Sequence, residues 1–202
     1  MTEAPSSITP AATKIMLIRH AEKPPSNPPP HGVNTKGDHD KESLIIQGWQ
    51  RAGALVVFFA PSVGPLQNSE IATPATIYAS QIAKGSESER PQRTVKPLIA
   101  KLGSSNVAAN FNFPKGQEKD VARSAMACSG VVLICWEHQS IPKITKHFPQ
   151  SENSEPFPAQ WPDGPNAPDG RYDVVWIFDL DSTGGYCFYE EPQLLLAGDG
   201  PL

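Results

Sequence analysis

Blocks of apolar and polar residues follow one another along the chain, and each block predicts one element of structure. A short apolar run at 15–18 predicts a buried strand, and the uninterrupted apolar run at 130–136 predicts another. Between them, apolar and small residues recur at helical spacing over 44–59, which predicts a core-facing helix that ends before Pro61. The chain therefore changes from strand to helix and back again.

The remaining blocks extend this alternation to the end of the chain. The other predicted strands are 76–79 and 107–113, and the other predicted helices are 91–102, 116–128 and 141–148. Residues 172–180 and 186–189, joined by a glycine-containing turn, predict a hairpin. Strands that alternate with helices favour an α/β fold, here a three-layer sandwich with a mostly parallel central sheet and an antiparallel edge strand.

Length and composition bound the domain organisation. A chain of 202 residues suits one domain, which we place at 15–202 behind a flexible N-terminal tail at 1–14. Proline accounts for 22 residues and is concentrated at 24–30 and 156–168. Both stretches are predicted loops, because proline lacks the N–H group that helices and central strands need.

Charge and hydropathy exclude several functions. Lys and Arg total 17 and Asp and Glu total 21, with no basic run, which argues against a nucleic-acid partner held by bulk charge. No stretch approaches the roughly 18 apolar residues that span a membrane, so no membrane partner is expected. The first residues lack the apolar core of a signal peptide, so the expected location is the cytoplasm.

Two histidines occupy equivalent places in the predicted sheet. His20 follows the strand at 15–18 by one arginine, and His138 follows the strand at 130–136 by one glutamate. In open α/β sheets, ligands bind at the edge where the carboxyl ends of the strands meet. We therefore expect the two histidines to share a binding site at that edge.

Four motifs carry a resemblance to a known family. The segment 19–22, Arg-His-Ala-Glu, resembles the Arg-His-Gly motif of the histidine phosphatase superfamily, the phosphoglycerate mutase-like proteins. The pattern Leu-(x3)-Gly-(x2)-Arg-Ala at 44–52 and the pattern Arg-x-x-x-Thr at 90–94 follow in the family's order, and the strand before His138 comes last. The resemblance covers about residues 15–148 and implies a phosphoglycerate mutase-like α/β fold.

The resemblance implies a chemistry and assigns roles in it. His20 is the expected nucleophile, which attacks the phosphorus of a small phosphorylated substrate and forms a phosphohistidine. Arg19 and Arg90 are expected to grip the phosphate bidentately, and His138 to stabilise the charge of its oxygens in the transition state. This scheme uses no cofactor and no metal. The expected activity is therefore that of a metal-independent phosphomonoester hydrolase.

The proton donor to the leaving group is the least defined of the expected catalytic residues. The family's usual glutamate has no clean match, and Glu118 occupies the nearest position along the chain. Glu137, beside His138, and Glu22, near the nucleophile, are alternatives. Arg93 is an alternative to Arg90 by position, but the spacing to the motif's threonine selects Arg90.

Other functions stay open from the sequence alone. One alternative is a mutase of the phosphoglycerate type, although Lys23 and two prolines stand where its extended signature would lie. Another is a non-catalytic module that binds a phosphorylated ligand. His31, His39 and their acidic neighbours could ligate a metal, but a polar substrate-covering loop is the preferred interpretation. The sequence identifies neither the physiological substrate nor the oligomeric state.

Overall fold

The computed structural model describes residues 9–103, 106–164 and 170–202, which contain six strands and four helices. In chain order these are β1 (Ala12–Arg19), α1 (Ile46–Phe59), β2 (Thr76–Ala79), α2 (Arg90–Leu102), β3 (Ala108–Asn110), α3 (Glu118–Met126), β4 (Gly130–Trp136), α4 (Ile141–Thr145), β5 (Val174–Leu180) and β6 (Tyr186–Pro192). The strands form one sheet in the order β3-β2-β4-β1-β5-β6.

Parallel pairing dominates this sheet. β1, β2, β3 and β4 pair in parallel, whereas β5 is antiparallel to both β1 and β6. The predicted α/β class, with a mostly parallel sheet and an antiparallel edge, is confirmed. The edge is the hairpin that the end of the sequence predicts.

Helices cover both faces of the sheet. Met16 and Ile18 on β1 belong to the apolar cluster that contains residues of α1 and α2. Ile15 and Leu17, which alternate with them, belong to the cluster that contains residues of α3 and α4. Because both faces are buried, β1 and β4 need apolar residues at consecutive positions, which explains their uninterrupted apolar runs.

Most elements lie where the sequence predicts them, but their ends differ. β1 begins at Ala12, so the last three residues of the predicted 1–14 tail belong to the sheet, and residues 1–8 lie outside the described part of the chain. The strand predicted at 107–113 is only Ala108–Asn110, because β2, its one partner among the described strands, offers four residues for pairing. Strand length is thus limited by the neighbouring strand as well as by local composition.

The parallel strands bring several chain segments to one sheet edge. Arg19 pairs with Trp136, and Ala79 pairs with Cys135, so β1, β4 and β2 end side by side. The His20 N–H extends the ladder by donating to the Trp136 carbonyl at 3.0 Å. His20, His138 and Ser80 therefore leave the sheet at neighbouring points. Among the described residues, no helix combines the length and the apolar character that crossing a membrane requires.

Candidate active site

A cavity of about 340 Å³ opens at this edge of the sheet. This volume is at the small end of the range for ligand sites. Its described lining comprises His20, Lys23, Glu42, Ser80, Gly85, Ser86, Glu87, Ser88, Arg90, Pro91, Lys115, Trp136, Glu137, His138 and Gln139. Three of the five predicted site residues, His20, Arg90 and His138, are therefore brought together. A second concavity of about 450 Å³ lies beside the end of α1, and Lys101 is the one ionisable residue among its described lining.

His20 is held as a neutral imidazole. Its Nδ1 lies 2.8 Å from the Ala21 carbonyl oxygen, which only accepts hydrogen bonds, so Nδ1 carries the proton and Nε2 keeps its lone pair. Burial, followed by the positive charge of Arg19, lowers the pKa of His20 well below its usual range, and only 4% of the residue is exposed. The result is an unprotonated nitrogen in a strongly cationic setting.

Thr94 connects the 20–22 segment, which carries His20, to α2. Its hydroxyl accepts the Ala21 N–H at 2.9 Å and donates to the Arg90 carbonyl at 2.8 Å, and the side chain is fully buried. Ala21 is the same residue whose carbonyl orients His20. Thr94 therefore ties the backbone that positions the imidazole to the first turn of α2, where Arg90 begins the helix.

Arg90 is held mainly by uncharged acceptors. Its Nε donates to the Ser43 carbonyl at 3.1 Å, and its terminal nitrogens donate to the Lys41 carbonyl and to the Ser88 hydroxyl. The nearest carboxylate, that of Glu42, lies 3.8 Å away. Burial lowers the pKa of Arg90, although the group stays positively charged at any working pH. The side chain is thus fixed without being neutralised at close range.

Arg19 lies beside His20 but is not among the described residues that line the cavity. Its guanidinium stacks on the Tyr172 ring, with 3.7 Å from Cζ to the ring centroid, and it donates to the Tyr172 hydroxyl at 3.0 Å. A further hydrogen bond runs to the Gly170 carbonyl. Arg19 is 1% exposed, and its charge contributes to the low pKa of His20. Its position therefore allows an electrostatic effect on His20.

The segment that holds Arg19 also approaches His138. A Cβ at Gly170 would lie 3.5 Å from Cδ2 of His138 and 3.2 Å from Cδ1 of Trp161, and the φ angle of Gly170 is +85°. Only glycine adopts that backbone conformation readily. Gly170 therefore brings the 170–172 backbone close to both sides of the site.

The three glutamates considered as proton donors lie in different surroundings. Glu118 is the first residue of α3, where its Oε1 accepts the Gly116 N–H at 3.0 Å, and it is not part of the described cavity lining. Glu22 is buried and bound by Arg51 at 2.7 Å, also away from the lining. Glu137 lines the cavity, where it forms an ion pair with Lys115.

Arg93, His31 and His39 lie outside the described cavity lining and contact other side chains. Arg93 forms ion pairs with Asp40 and Glu89, which explains why the chemistry does not select it over Arg90. The rings of His31 and His39 stack with centroids 4.3 Å apart. Across the described residues, no group of three or more His, Cys, Asp or Glu side chains is arranged to hold a metal ion.

Some members of the site are not apparent from sequence reasoning. Glu87 and Lys115 line the cavity, yet neither belongs to a recognisable motif. Tyr172 follows the proline-rich loop, beyond the region of family resemblance, and its contact with Arg19 spans 153 positions. No local pattern could reveal such a contact. Thr94, in contrast, is part of the Arg-x-x-x-Thr pattern, which signals its position but not its partner.

Comparisons with known proteins give a limited result. No protein-family model matches the chain, and no curated protein matches it. Among solved structures, SixA from Agrobacterium tumefaciens, provisionally assigned as a phosphohistidine phosphatase, is similar with 13% identity and a TM-score of 0.39, over 83% of this chain and 92% of that one. Mycobacterial hydrolase 2 is similar with 11% identity and a TM-score of 0.40, over 88% of each chain. At these values, neither protein's chemistry carries over to this chain.

Proposed function

We propose that this protein is a phosphomonoester hydrolase that acts through a phosphohistidine on His20. The observation that carries the proposal is the state of His20: its Nδ1–H is bound to the Ala21 carbonyl, and its pKa is lowered by burial and by neighbouring positive charge. A phosphate dianion is attracted by the same charges that keep the imidazole neutral. The family resemblance of the motifs around these residues supports the same conclusion.

The first half-reaction transfers the phosphoryl group to His20. The lone pair on Nε2 attacks phosphorus in line, the N–P bond forms and the bond between phosphorus and the ester oxygen breaks. Arg90 and His138 stabilise the negative charge on the phosphoryl oxygens, and Arg19 adds its field from beside the nucleophile. The leaving oxygen takes its proton from water or from a lining carboxyl, and Glu137 is the one of the three considered glutamates in that position.

The second half-reaction releases phosphate. Water attacks the phosphorus of the phosphohistidine, the N–P bond breaks and the electron pair returns to Nε2. The proton lost by the water leaves to solvent, and the neutral imidazole is restored. Because the Arg and His side chains supply the stabilising charge, the scheme does not call on a metal ion.

The test is hydrolysis of p-nitrophenyl phosphate by the wild type, His20→Ala and the control His147→Ala, with EDTA present. His147 lies outside the described cavity lining. We expect His20→Ala to lose about 10⁴-fold or more in kcat, as nucleophile removal does elsewhere, and the control to stay near wild type. Mass analysis of rapidly quenched wild type is expected to detect an acid-labile phosphoryl adduct that His20→Ala lacks.

Three other results would contradict the proposed hydrolase mechanism. Hydrolysis that persists in His20→Ala, or that EDTA abolishes, would overturn the proposed nucleophile or the metal-free scheme. A wild type that binds inorganic phosphate but hydrolyses no ester would instead identify a phospho-ligand binding module.

A further inference from the structure

Residues 85–88 form one wall of the cavity, in a loop that several hydrogen bonds hold together. Ala83 and Ser86 exchange both backbone hydrogen bonds, at 3.1 and 2.8 Å. The buried Ser86 hydroxyl donates to the Gln81 carbonyl at 2.8 Å and accepts the Lys115 N–H at 3.3 Å. These contacts tie the loop both to itself and to the connection before α3. The residues that follow Ser86 therefore have a defined position on the wall.

Glu87 places an exposed, negatively charged side chain on this wall. Its Oε1 accepts the Gly85 N–H at 2.8 Å, and this hydrogen bond lowers the pKa of the carboxyl. In the described part of the chain, no Lys, Arg or His nitrogen lies within ion-pair distance of Glu87, and Lys41 acts on it only from farther away. Glu42 and Glu137, the other lining glutamates, lie close to Arg90 and Lys115 respectively. Glu87 is thus the lining carboxylate whose charge is least compensated.

The charge of Glu87 affects which alcohol group of a phosphate ester can bind beside it. His20 and Glu87 line the same cavity of about 340 Å³, so a small ester whose phosphate lies at His20 can extend to Glu87. A second anionic group there would meet an ionised carboxylate, and like charges disfavour binding. A hydroxyl or ammonium group would instead donate a hydrogen bond to it.

We propose that the substrate is a small phosphomonoester whose alcohol carries a hydrogen-bond donor and no second anionic group, and that Glu87 determines this preference. The inference rests on the proposed hydrolase activity and narrows its substrate class. Donors of two kinds satisfy the same chemistry, the hydroxyls of a polyol and the ammonium group of an amino alcohol. Phosphorylated carboxylic acids are the disfavoured class.

Two matched pairs of esters test this preference at low ionic strength. Glycerol 3-phosphate and 3-phosphoglycerate differ in a hydroxymethyl group against a carboxylate. Phosphoethanolamine and phosphoglycolate differ in an aminomethyl group against a carboxylate. We expect kcat/KM to favour the donor-bearing member of at least one pair by about fivefold or more, and salt to reduce the ratio. The pair with the larger ratio identifies the kind of donor.

Two single variants test whether Glu87 causes the preference for donor-bearing esters. Glu87→Gln keeps the size of the side chain and removes its charge, so we expect the donor-to-acid ratio to fall towards one, mainly through KM. Glu152→Gln removes the same charge from an exposed residue outside the described lining and is expected to keep the wild-type ratio.

The outcomes separate this inference from the proposed function. Equal or better hydrolysis of the carboxylate esters, or an unchanged ratio in Glu87→Gln, would overturn the substrate class while the hydrolase proposal stands. Failure of every ester, p-nitrophenyl phosphate included, would overturn both.

Discussion

Two arginines, the buried Arg51 and the partly buried Arg90, are held by the protein in opposite ways. Arg51 on α1 is bound by two carboxylates, Glu22 at 2.7 Å and Asp199 at 2.7 Å, and by the Gln193 amide oxygen at 3.0 Å. Burial alone would lower its pKa, but these carboxylates raise it. Arg90 is held by two backbone carbonyls and a hydroxyl, and its nearest carboxylate stands 3.8 Å off.

The difference separates a charge that is neutralised inside the protein from one that is open to a ligand. The Arg51 cluster neutralises itself and joins the 20–22 segment and α1 to the end of the chain, so little of its charge is open to a ligand. Arg90 is also held in place by several hydrogen bonds, but no carboxylate binds it closely. Its side chain lines the cavity. A phosphate that enters the cavity therefore meets a positive charge that the protein has positioned and that Glu42, at 3.8 Å, offsets only in part.

The largest expected effects come from replacing each arginine separately by methionine, which should lower activity in one variant and stability in the other. Arg90→Met is expected to lower kcat/KM on p-nitrophenyl phosphate by about 10²–10³-fold, because transition-state charge loses a donor. Arg51→Met leaves Glu22 and Asp199 buried without their cation, which costs about 3–5 kcal/mol of unfolding free energy. For both variants, thermal unfolding measures the change in stability, and kinetics on the folded protein measures the change in kcat/KM. A stability loss in Arg90→Met equal to that in Arg51→Met, with similar activities, would contradict the distinction.

Thr94 links Arg90 to the backbone beside His20, and its variants test whether that link affects activity. Thr94→Val keeps the shape of the side chain but breaks the hydrogen bonds to the Ala21 N–H and the Arg90 carbonyl, so we expect kcat to fall about tenfold through misplacement of His20. Thr94→Ser keeps the hydroxyl and should recover most of the rate. A purely structural role would instead lower stability in both variants and leave kcat of the folded enzyme unchanged.

The smallest expected effect is a shift of the pH–rate profile, which reports most directly on the protonation of His20 and on the influence of Arg90 upon it. Because the pKa of His20 is lowered, the imidazole stays neutral well below pH 6.5, and the acid limb of kcat/KM should lie below that value. Arg90 contributes to the lowering, so Arg90→Met is expected to move the limb upwards, whereas Arg51→Met should not. Rate profiles between about pH 4 and 9 measure the shift. An acid limb above pH 7 in the wild type would contradict a neutral His20.

The candidate site was partly predictable because much of it depends on where strands end. His20 and His138 each follow a buried apolar run, and parallel strands place such positions at one edge. The position of Glu118 illustrates the limit of this reasoning. It is the glutamate nearest the expected place along the chain. In the structure it begins α3, where its carboxylate accepts the Gly116 N–H and lies outside the described cavity lining.

The sequence by itself determined the alternation of strands and helices, the two-sided burial of β1 and β4, and the edge at which the histidines emerge. These features depend on local periodicity and on the general geometry of parallel sheets. Only the tertiary structure decided which arginine is neutralised, because Asp199 lies 148 positions from Arg51. It also decided which carboxylates line the cavity. The physical reason is that the effect of a charge depends on its burial and its partners, and contacts between distant parts of the chain set both.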